Sequence, residues 1–445
     1  IRKSILKEAL EPIRLVCFIL AWFSSVSLIV WNSDTNIFAY YGSFLFIFFL
    51  ILTLPLIKLQ SVIIILFLVL LLYNVTEKFP SQNDLFDSFR YILIFAGLIP
   101  TMGLVRSTGL RLESVKEAQK RLSKLPENHM TTGFQLTAHF FGALINTGVF
   151  AMLAATLPKE SSSNYRKSAA EAALRGMASS ATWSPFFVAF VIGQIYIDSF
   201  SAWIALALGL GTALLFSTCS VIALNRRSVL QNVIISGTCL TPILPILALI
   251  MFSVVAAATL FELTALSAII IIMPSLVSTY FCYKPNQVKS ILSETIIYLK
   301  SSKDDVLVIS FAMIVGSLIT NNLEALDNIS GMKIFDIPTC SVLVFIPVSM
   351  ASLSLIGIHP IISSTILLSI FTNPEFQINS ALIMQAHLIG WCTGTMSSIS
   401  SLSVITCSRL FDINSSKLCF GKNALVSLIF AITGGTLLSI IGLFS

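Results

Sequence analysis

Apolar runs long enough to cross a bilayer follow one another down this chain, and they decide what it can fold into. "IFAYYGSFLFIFFLILTLPLI" (37–57) and "SVIIILFLVLLLY" (61–73) are two of many. A membrane-spanning helix needs about 20 mostly apolar residues. A membrane barrel would show roughly ten-residue segments of alternating hydrophobicity instead. Of the 445 residues, 56% are hydrophobic and 11% charged. A soluble domain carries about 25% charged residues. The expected fold class is an all-α polytopic membrane protein, with the lipid bilayer as its first partner. The formal charge of +6 is modest and fits cytoplasmic loops, not nucleic-acid binding. Eight cysteines without a CxxC read as small core residues, so neither a disulfide framework nor a metal site is expected.

Lysine and arginine collect in cytoplasmic loops. Arg2, Lys3, Lys7 and Arg14 place the N-terminus inside, and the 106–124 stretch, with six basic residues, is inside too. Lys159, Arg166, Lys167 and Arg175 form the next cluster, and Arg226 and Arg227 the one after. If the apolar stretch 131–157 crossed once, one of these clusters would face out. Entering and leaving on the same side keeps all of them inside. The stretch therefore reads as a re-entrant hairpin turning near Asn146. A second hairpin, 338–371 with "GIHP" at 357–360, enters from outside. About eleven spans and two hairpins result, in a cell (inner) membrane, with the C-terminus outside.

Shifted by 218 residues, "INT" (145–147) falls on "SST" (363–365), and "GMASSAT" (176–182) on "GTMSSIS" (394–400). Two copies that start on opposite sides make an inverted repeat, the common build of secondary transporters. The expected organisation is a lead and first span (1–35), a first repeat (36–228) and a second repeat (229–445). Each repeat carries a hairpin tip and then a Gly/Ser break in the following span. Helix N-termini favour anions, and freed carbonyls with hydroxyls favour Na⁺. Asn146, Thr147, Ser179 and Ser180 would form one half-site, and Ser364, Thr365, Ser397 and Ser398 the other. The bland reading is that small polar residues only let helices pack closely.

The layout resembles the ion transporter superfamily, which includes the divalent anion/sodium symporters and the large membrane subunit of tripartite (TRAP) transporters. In the sodium symporters a Ser-Asn-Thr signature marks each hairpin tip. Here "INTGVFAMLAATLP" keeps Asn and Thr in the first copy, and "SSTILLSIF" keeps Ser and Thr in the second. The resemblance covers about residues 36–445. It implies scaffold and transport domains, a homodimer, an elevator motion, and solute held between the two tips, with Na⁺ at Asn146, Thr147, Ser364 and Thr365.

Other polar residues have two readings each. Arg175 either holds an anionic solute or belongs to a surface helix beside Glu171. His359, next to the second tip, binds solute, carries a proton or shapes the turn with Pro360. His387 lies within an apolar span, where an ionisable group is a functional suspect. His139 reads as packed. Pro185 is expected in a first helical turn, and Pro242 and Pro245 as kinks.

The expected function is secondary active transport of a small anionic, carboxylate-type solute, coupled to Na⁺ or H⁺ and without a cofactor. The alternatives are a TRAP-type subunit that receives its solute from a binding protein, or a lipid-linked glycan flippase. An enzyme is not expected. The spans hold almost no Asp or Glu and no HExxH spacing.

Overall fold

The computed structural model describes residues 2–31, 37–75, 80–158, 160–197, 202–224, 229–320 and 337–443, and these contain helices and no strand. Lys159, Asp198, Arg226, Arg227 and the acidic 321–332 stretch, which the sequence topology used, lie outside the described residues. Seven described segments are long and apolar enough to cross a membrane: Leu10–Trp31, Ile37–Leu56, Gln82–Gly109, Trp203–Ala223, Ala265–Tyr283, Ser380–Phe411 and Lys422–Gly442. Shorter apolar helices, such as Leu244–Leu260 and Thr339–Leu355, accompany them. This is a multi-pass helical membrane protein.

The chain forms two compact units, Ile1–Thr108 with Ser253–Ile334, and Gly109–Phe252 with Phe335–Ser445. Both halves expected from the sequence, 36–228 and 229–445, contribute to each unit.

In the first unit, α1 (Arg2–Trp31) packs along α2 (Ile37–Thr53). The Phe18 ring stacks on Phe49 at 4.3 Å and on Phe46 at 5.8 Å. The Cβ of Ser24 comes so near Gly42 that a side chain there would need it to move. Farther along the chain come α3 (Leu59–Val75), α4 (Gln82–Gly109), α13 (Ala265–Tyr283), α14 (Val288–Ser301) and α15 (Lys303–Thr320). Trp22 donates from its indole to the Thr101 hydroxyl at 3.2 Å, joining α1 to α4. Asp304 accepts from the Ser61 hydroxyl at 3.0 Å and from the Lys58 backbone N–H at 2.8 Å. A carboxylate at the start of α3 satisfies helix-end donors and complements the dipole. Apart from such ties, the unit is held by apolar packing.

The second unit opens with the amphipathic α5 (Glu113–Leu122), followed by α6 (Glu127–Ile145) and the short α7 (Gly148–Ala154). α6 and α7 pack on one another across the turn at Asn146 and Thr147. Next come α8 (Ser163–Ser180), an irregular segment, α9 (Val188–Tyr196) and α10 (Ala202–Leu224). The stretch around Pro242 and Pro245 is two helices, α11 (Val229–Gly237) and α12 (Leu244–Leu260), the second of which belongs to the first unit from Ser253 on. Pro242 lies in the turn between them and Pro245 in the first turn of α12, so these prolines separate helices and do not kink one. After the described gap come α16 (Thr339–Leu355), α17 (Pro360–Phe371), α18 (Ser380–Ser397), α19 (Leu402–Phe411), the short α20 (Ser415–Cys419) and α21 (Lys422–Gly442).

Two packing relations organise this unit. α6 packs along α8, and α16 packs along α18. α9 lies against α17 and α18, and α19 lies against α7 and α8. The helix that restarts after each break thus packs on the hairpin arm and broken helix of the other half.

Candidate functional site

The first turn is built by Asn146. Its N–H closes α6 on the Gly142 carbonyl at 2.9 Å, and its φ of +49° with ψ −133° then turns the chain sharply. A non-glycine residue there is strained, and such strain gathers at functional positions. The side chains of Asn146 and Thr147 make no hydrogen bond among the described residues, although Thr147 is only 8% exposed. Both donors and acceptors are therefore open to a ligand.

The second turn is settled internally. Gly357 takes the positive φ, +94°. His359 caps α17, its Nδ1 accepting from the Ile361 N–H at 3.2 Å, and Pro360 fixes the first turn. Of the roles open to His359, turn-shaping is the one this geometry displays. Ser364 and Thr365 lie inside α17, beyond the turn and not at it. The turn comes earlier than a rigid shift of 218 residues places it, because Gly357 and Pro360 set it. The Thr365 hydroxyl donates back to the Ile361 carbonyl at 2.9 Å.

Both expected helix breaks are present. α8 ends at Ser180 and α18 at Ser397. The Ser180 hydroxyl returns to the Met177 carbonyl at 2.6 Å, and the Ser397 hydroxyl to the Thr393 carbonyl at 2.7 Å. Ser398 is extended and pairs with the Ser400 hydroxyl at 2.8 Å. Ser401 then caps α19 by accepting from the Ser403 N–H. Pro185 lies within the irregular segment ahead of α9 and not in its first turn, because α9 restarts only at Val188. The Ser184 hydroxyl crosses from that segment to the Ala143 carbonyl at 2.6 Å, tying the first break to the hairpin just before its tip.

Two buried histidines organise these elements; His139 is packed, as expected, against Phe140 and Trp183, and His387 lies fully buried. His139 Nδ1 stands 2.9 Å from the Ser179 hydroxyl, and its Nε2 accepts the Trp183 indole N–H at 3.2 Å. An indole can only donate, so Nε2 is bare, and Nδ1 carries the proton and donates to Ser179. The Ser179 hydroxyl in turn donates to the Gly176 carbonyl at 2.8 Å. His387 is the opposite tautomer. Its Nε2 donates to the Ala189 carbonyl at 2.9 Å, which can only accept, so in the neutral ring Nδ1 accepts from the Ser364 hydroxyl at 3.1 Å. Each ring is neutral in this arrangement. The spacing of His139 and Ser179 on α6 and α8 carries no sequence motif.

Contact between α6 and α8 is close. A Cβ on Gly176 would collide with the Gln135 carbonyl, and elsewhere one on Gly209 of α10 would collide with the Thr182 carbonyl of the irregular segment. Small residues let helices approach to this distance. On the next turn of the same two helices, away from the tip, the Arg175 Nε donates to the Gln135 side-chain oxygen at 3.3 Å and its Nη1 to the Asn423 side-chain oxygen at 2.8 Å. Arg175 is therefore buried among helices and not set on a surface helix.

Apart from His359, the predicted site residues fall into three groups. Asn146 and Thr147 are together and unbonded. Ser179, Ser180, Ser364 and Thr365 are fully or nearly fully buried and bonded within the protein. Ser397 and Ser398 shape the second break. No hydrogen bond joins the first set of four to the second among the described residues. No group of three or more His, Cys, Asp or Glu able to hold a metal ion occurs among the described residues. No protein-family model matches the chain, and a search of curated proteins finds no match.

Proposed function

We propose that the chain is a secondary active transporter for a small anionic solute, and that the solute is bound at the tip of the first hairpin. The observation that carries this reading is the pair Asn146–Thr147. Most of the serine and threonine hydroxyls predicted for the site bond within the protein, whereas these two side chains make no hydrogen bond among the described residues and stand at a strained turn. The cost of holding a non-glycine residue at positive φ is offset when a ligand takes the amide and hydroxyl beside it.

The crossed packing of α9 and α19 supports an inverted repeat, and with it a site enclosed by elements of both halves. The interleaving of the two compact units along the chain supports a division of labour, with the second unit carrying solute and the first anchoring it. In this reading the protein works as a homodimer with an elevator motion. The cation is Na⁺ held by carbonyls freed at the tip and breaks, or H⁺.

The test is a thermal-shift screen of the purified chain against small organic acids, with Na⁺ or with choline, followed by uptake into proteoliposomes. At least one acid is expected to stabilise the protein, and Asn146→Ala and Thr147→Ala are expected to abolish that shift. Uptake of that acid should follow an imposed Na⁺ or pH gradient. Uptake indifferent to both gradients, or a shift that survives both substitutions, overturns the reading.

A further inference from the structure

A second polar site lies in the same unit, one or two turns along α6 and α8 from the His139–Ser179 layer. A cavity of about 110 Å³ opens there between α6, α8, α10 and the start of α21. Gln135, Glu171, Arg175, Ser220 and Lys422 are among the residues that line it. A water-sized group needs about 10–15 Å³ of such volume, so a ligand of several heavy atoms fits.

The charges around this cavity are arranged unusually. Arg175 is 4% exposed, and its guanidinium is held by two neutral amide oxygens, those of Gln135 and Asn423. Each of these partners is itself fixed. The Gln135 oxygen also accepts from the Ser220 hydroxyl at 3.2 Å, and the Asn423 amide donates to the Glu171 backbone carbonyl at 3.2 Å. The guanidinium is oriented but has no carboxylate within ion-pair distance among the described residues. Glu171 sits one turn earlier on α8, 3% exposed. Its side chain accepts no hydrogen bond among the described residues, and its buried Oε1 has only a long ion pair. Its nearest cation is the Lys167 ammonium at 3.7 Å, which is more than a third exposed. Residues four apart on a helix are within reach of each other, yet this acid and this base do not pair.

We infer that the cavity binds a small zwitterion, a molecule with a carboxylate and a protonated amine a few bonds apart, as in an α-amino acid. The carboxylate is taken by the Arg175 guanidinium, with Lys422 at the rim as a second positive group. The ammonium is taken by the Glu171 carboxylate, and the Gln135, Ser220 and threonine groups supply neutral hydrogen bonds. A plain carboxylate would leave Glu171 with only the long, partly exposed ion pair to Lys167, and a plain amine would leave Arg175 with no carboxylate. Buried charge left uncompensated is costly, so the complementary ligand is the one that carries both signs. The inference rests on the cavity and holds whether or not the hairpin tip binds solute.

The test is titration of the purified full chain in detergent with glycine and alanine as probes, read by calorimetry and by thermal shift. Acetate, propionate and methylammonium serve as single-charge controls. Glycine or alanine is expected to bind saturably, and the controls at least about tenfold more weakly, as loss of one charge-assisted bond implies. Glu171→Gln and Arg175→Lys should each weaken binding by about tenfold or more. Should either variant fail to fold, Ser168→Phe decides. Ser168 is a half-buried lining residue that makes none of the buried bonds, so a ring there fills the cavity, abolishes binding and leaves the unliganded melting midpoint in place. Asn146→Ala is expected to leave amino-acid binding unchanged, which separates this site from the hairpin tip. No binding by either amino acid, acetate binding as tight as glycine with Glu171→Gln silent, or loss of binding in Asn146→Ala would each overturn the assignment.

Discussion

The first hairpin turns on Asn146, held at a φ of +49°, and the second turns on Gly357 at +94°. Glycine adopts that backbone at little steric cost, and asparagine does so under strain. Beyond Gly357 the polar groups close on themselves: His359 caps α17, and the hydroxyls after it bond to His387 or to their own helix, while the Ser354 hydroxyl before the turn is buried without a partner. Around Asn146 they do not. The two turns do the same topological task, but only at the first do polar side chains of the turn residues themselves stay unbonded. In a protein of this composition, a polar side chain either settles backbone and neighbours or remains available. Which of the two it does is decided by its partners and not by its residue type.

The largest contrast between the two halves is expected at the paired glycines Gly176 and Gly394. A methyl on Gly176 meets the Gln135 backbone carbonyl, which cannot rotate away. A methyl on Gly394 comes within 2.7 Å of the Ser354 hydroxyl, which can turn, and 3.1 Å of the Pro360 ring. Gly176→Ala should therefore cost about 3 kcal/mol and Gly394→Ala about 1 kcal/mol, the upper and lower ends of overpacking effects. Melting midpoints of the two variants in the same detergent check this. Equal shifts would mean that the close α6–α8 approach is not the tighter of the two.

Next come the histidines. His139→Phe leaves the Trp183 indole N–H without its acceptor and the Ser179 hydroxyl without its donor, in a buried layer. A loss of about 2 kcal/mol is expected. His387→Phe removes one donor to a backbone carbonyl and the acceptor of the Ser364 hydroxyl, which can turn to a backbone carbonyl of its own helix as Thr365 does. About 1 kcal/mol is expected there. A larger effect at His387 would reverse the ranking of the two layers.

The outline of this fold is legible from sequence because bilayer spans and helix breaks are written in local composition. The tip at Asn146 and the breaks after Ser180 and Ser397 fall where the polar interruptions predict. What sequence could not place is what depends on partners far along the chain. Ser364 and Thr365 match the first tip by residue type, yet the turn is set earlier by Gly357 and Pro360. His139 carries no motif, and its importance comes from Trp183, 44 residues away. Arg175 sits in a polar, amphipathic segment that reads as surface. It is buried because Gln135 and Asn423 come from α6 and α21 to meet it.

Relieving the strain at the first turn should have a smaller effect on stability, and with the opposite sign. Asn146→Gly is expected to raise the melting midpoint by the equivalent of about 1 kcal/mol, because glycine accepts positive φ. The same variant should lose any ligand-induced shift that wild type shows. Gly357→Ala, by contrast, should lower stability by about 1 kcal/mol, since open space around the residue leaves backbone conformation as the only cost. If Asn146→Gly destabilised the unliganded protein, the side chain would be holding the turn together and would not be in reserve.

The smallest effects are expected at the serines that end the two broken helices. Ser180 and Ser397 each donate to a carbonyl of their own helix three or four residues back. A back-bonded hydroxyl competes with the helix for that carbonyl and contributes little to its stability. Ser180→Ala and Ser397→Ala should therefore change the unliganded melting midpoint by less than about 0.5 kcal/mol each. Their value lies in what they do to ligand binding. If the first half alone holds solute, Ser180→Ala reduces a ligand-induced shift and Ser397→Ala leaves it intact. Equal losses in both variants would mean that the second half, closed on itself without ligand, opens its hydroxyls when the solute arrives. The difference between the two turns would then belong to the unliganded protein alone.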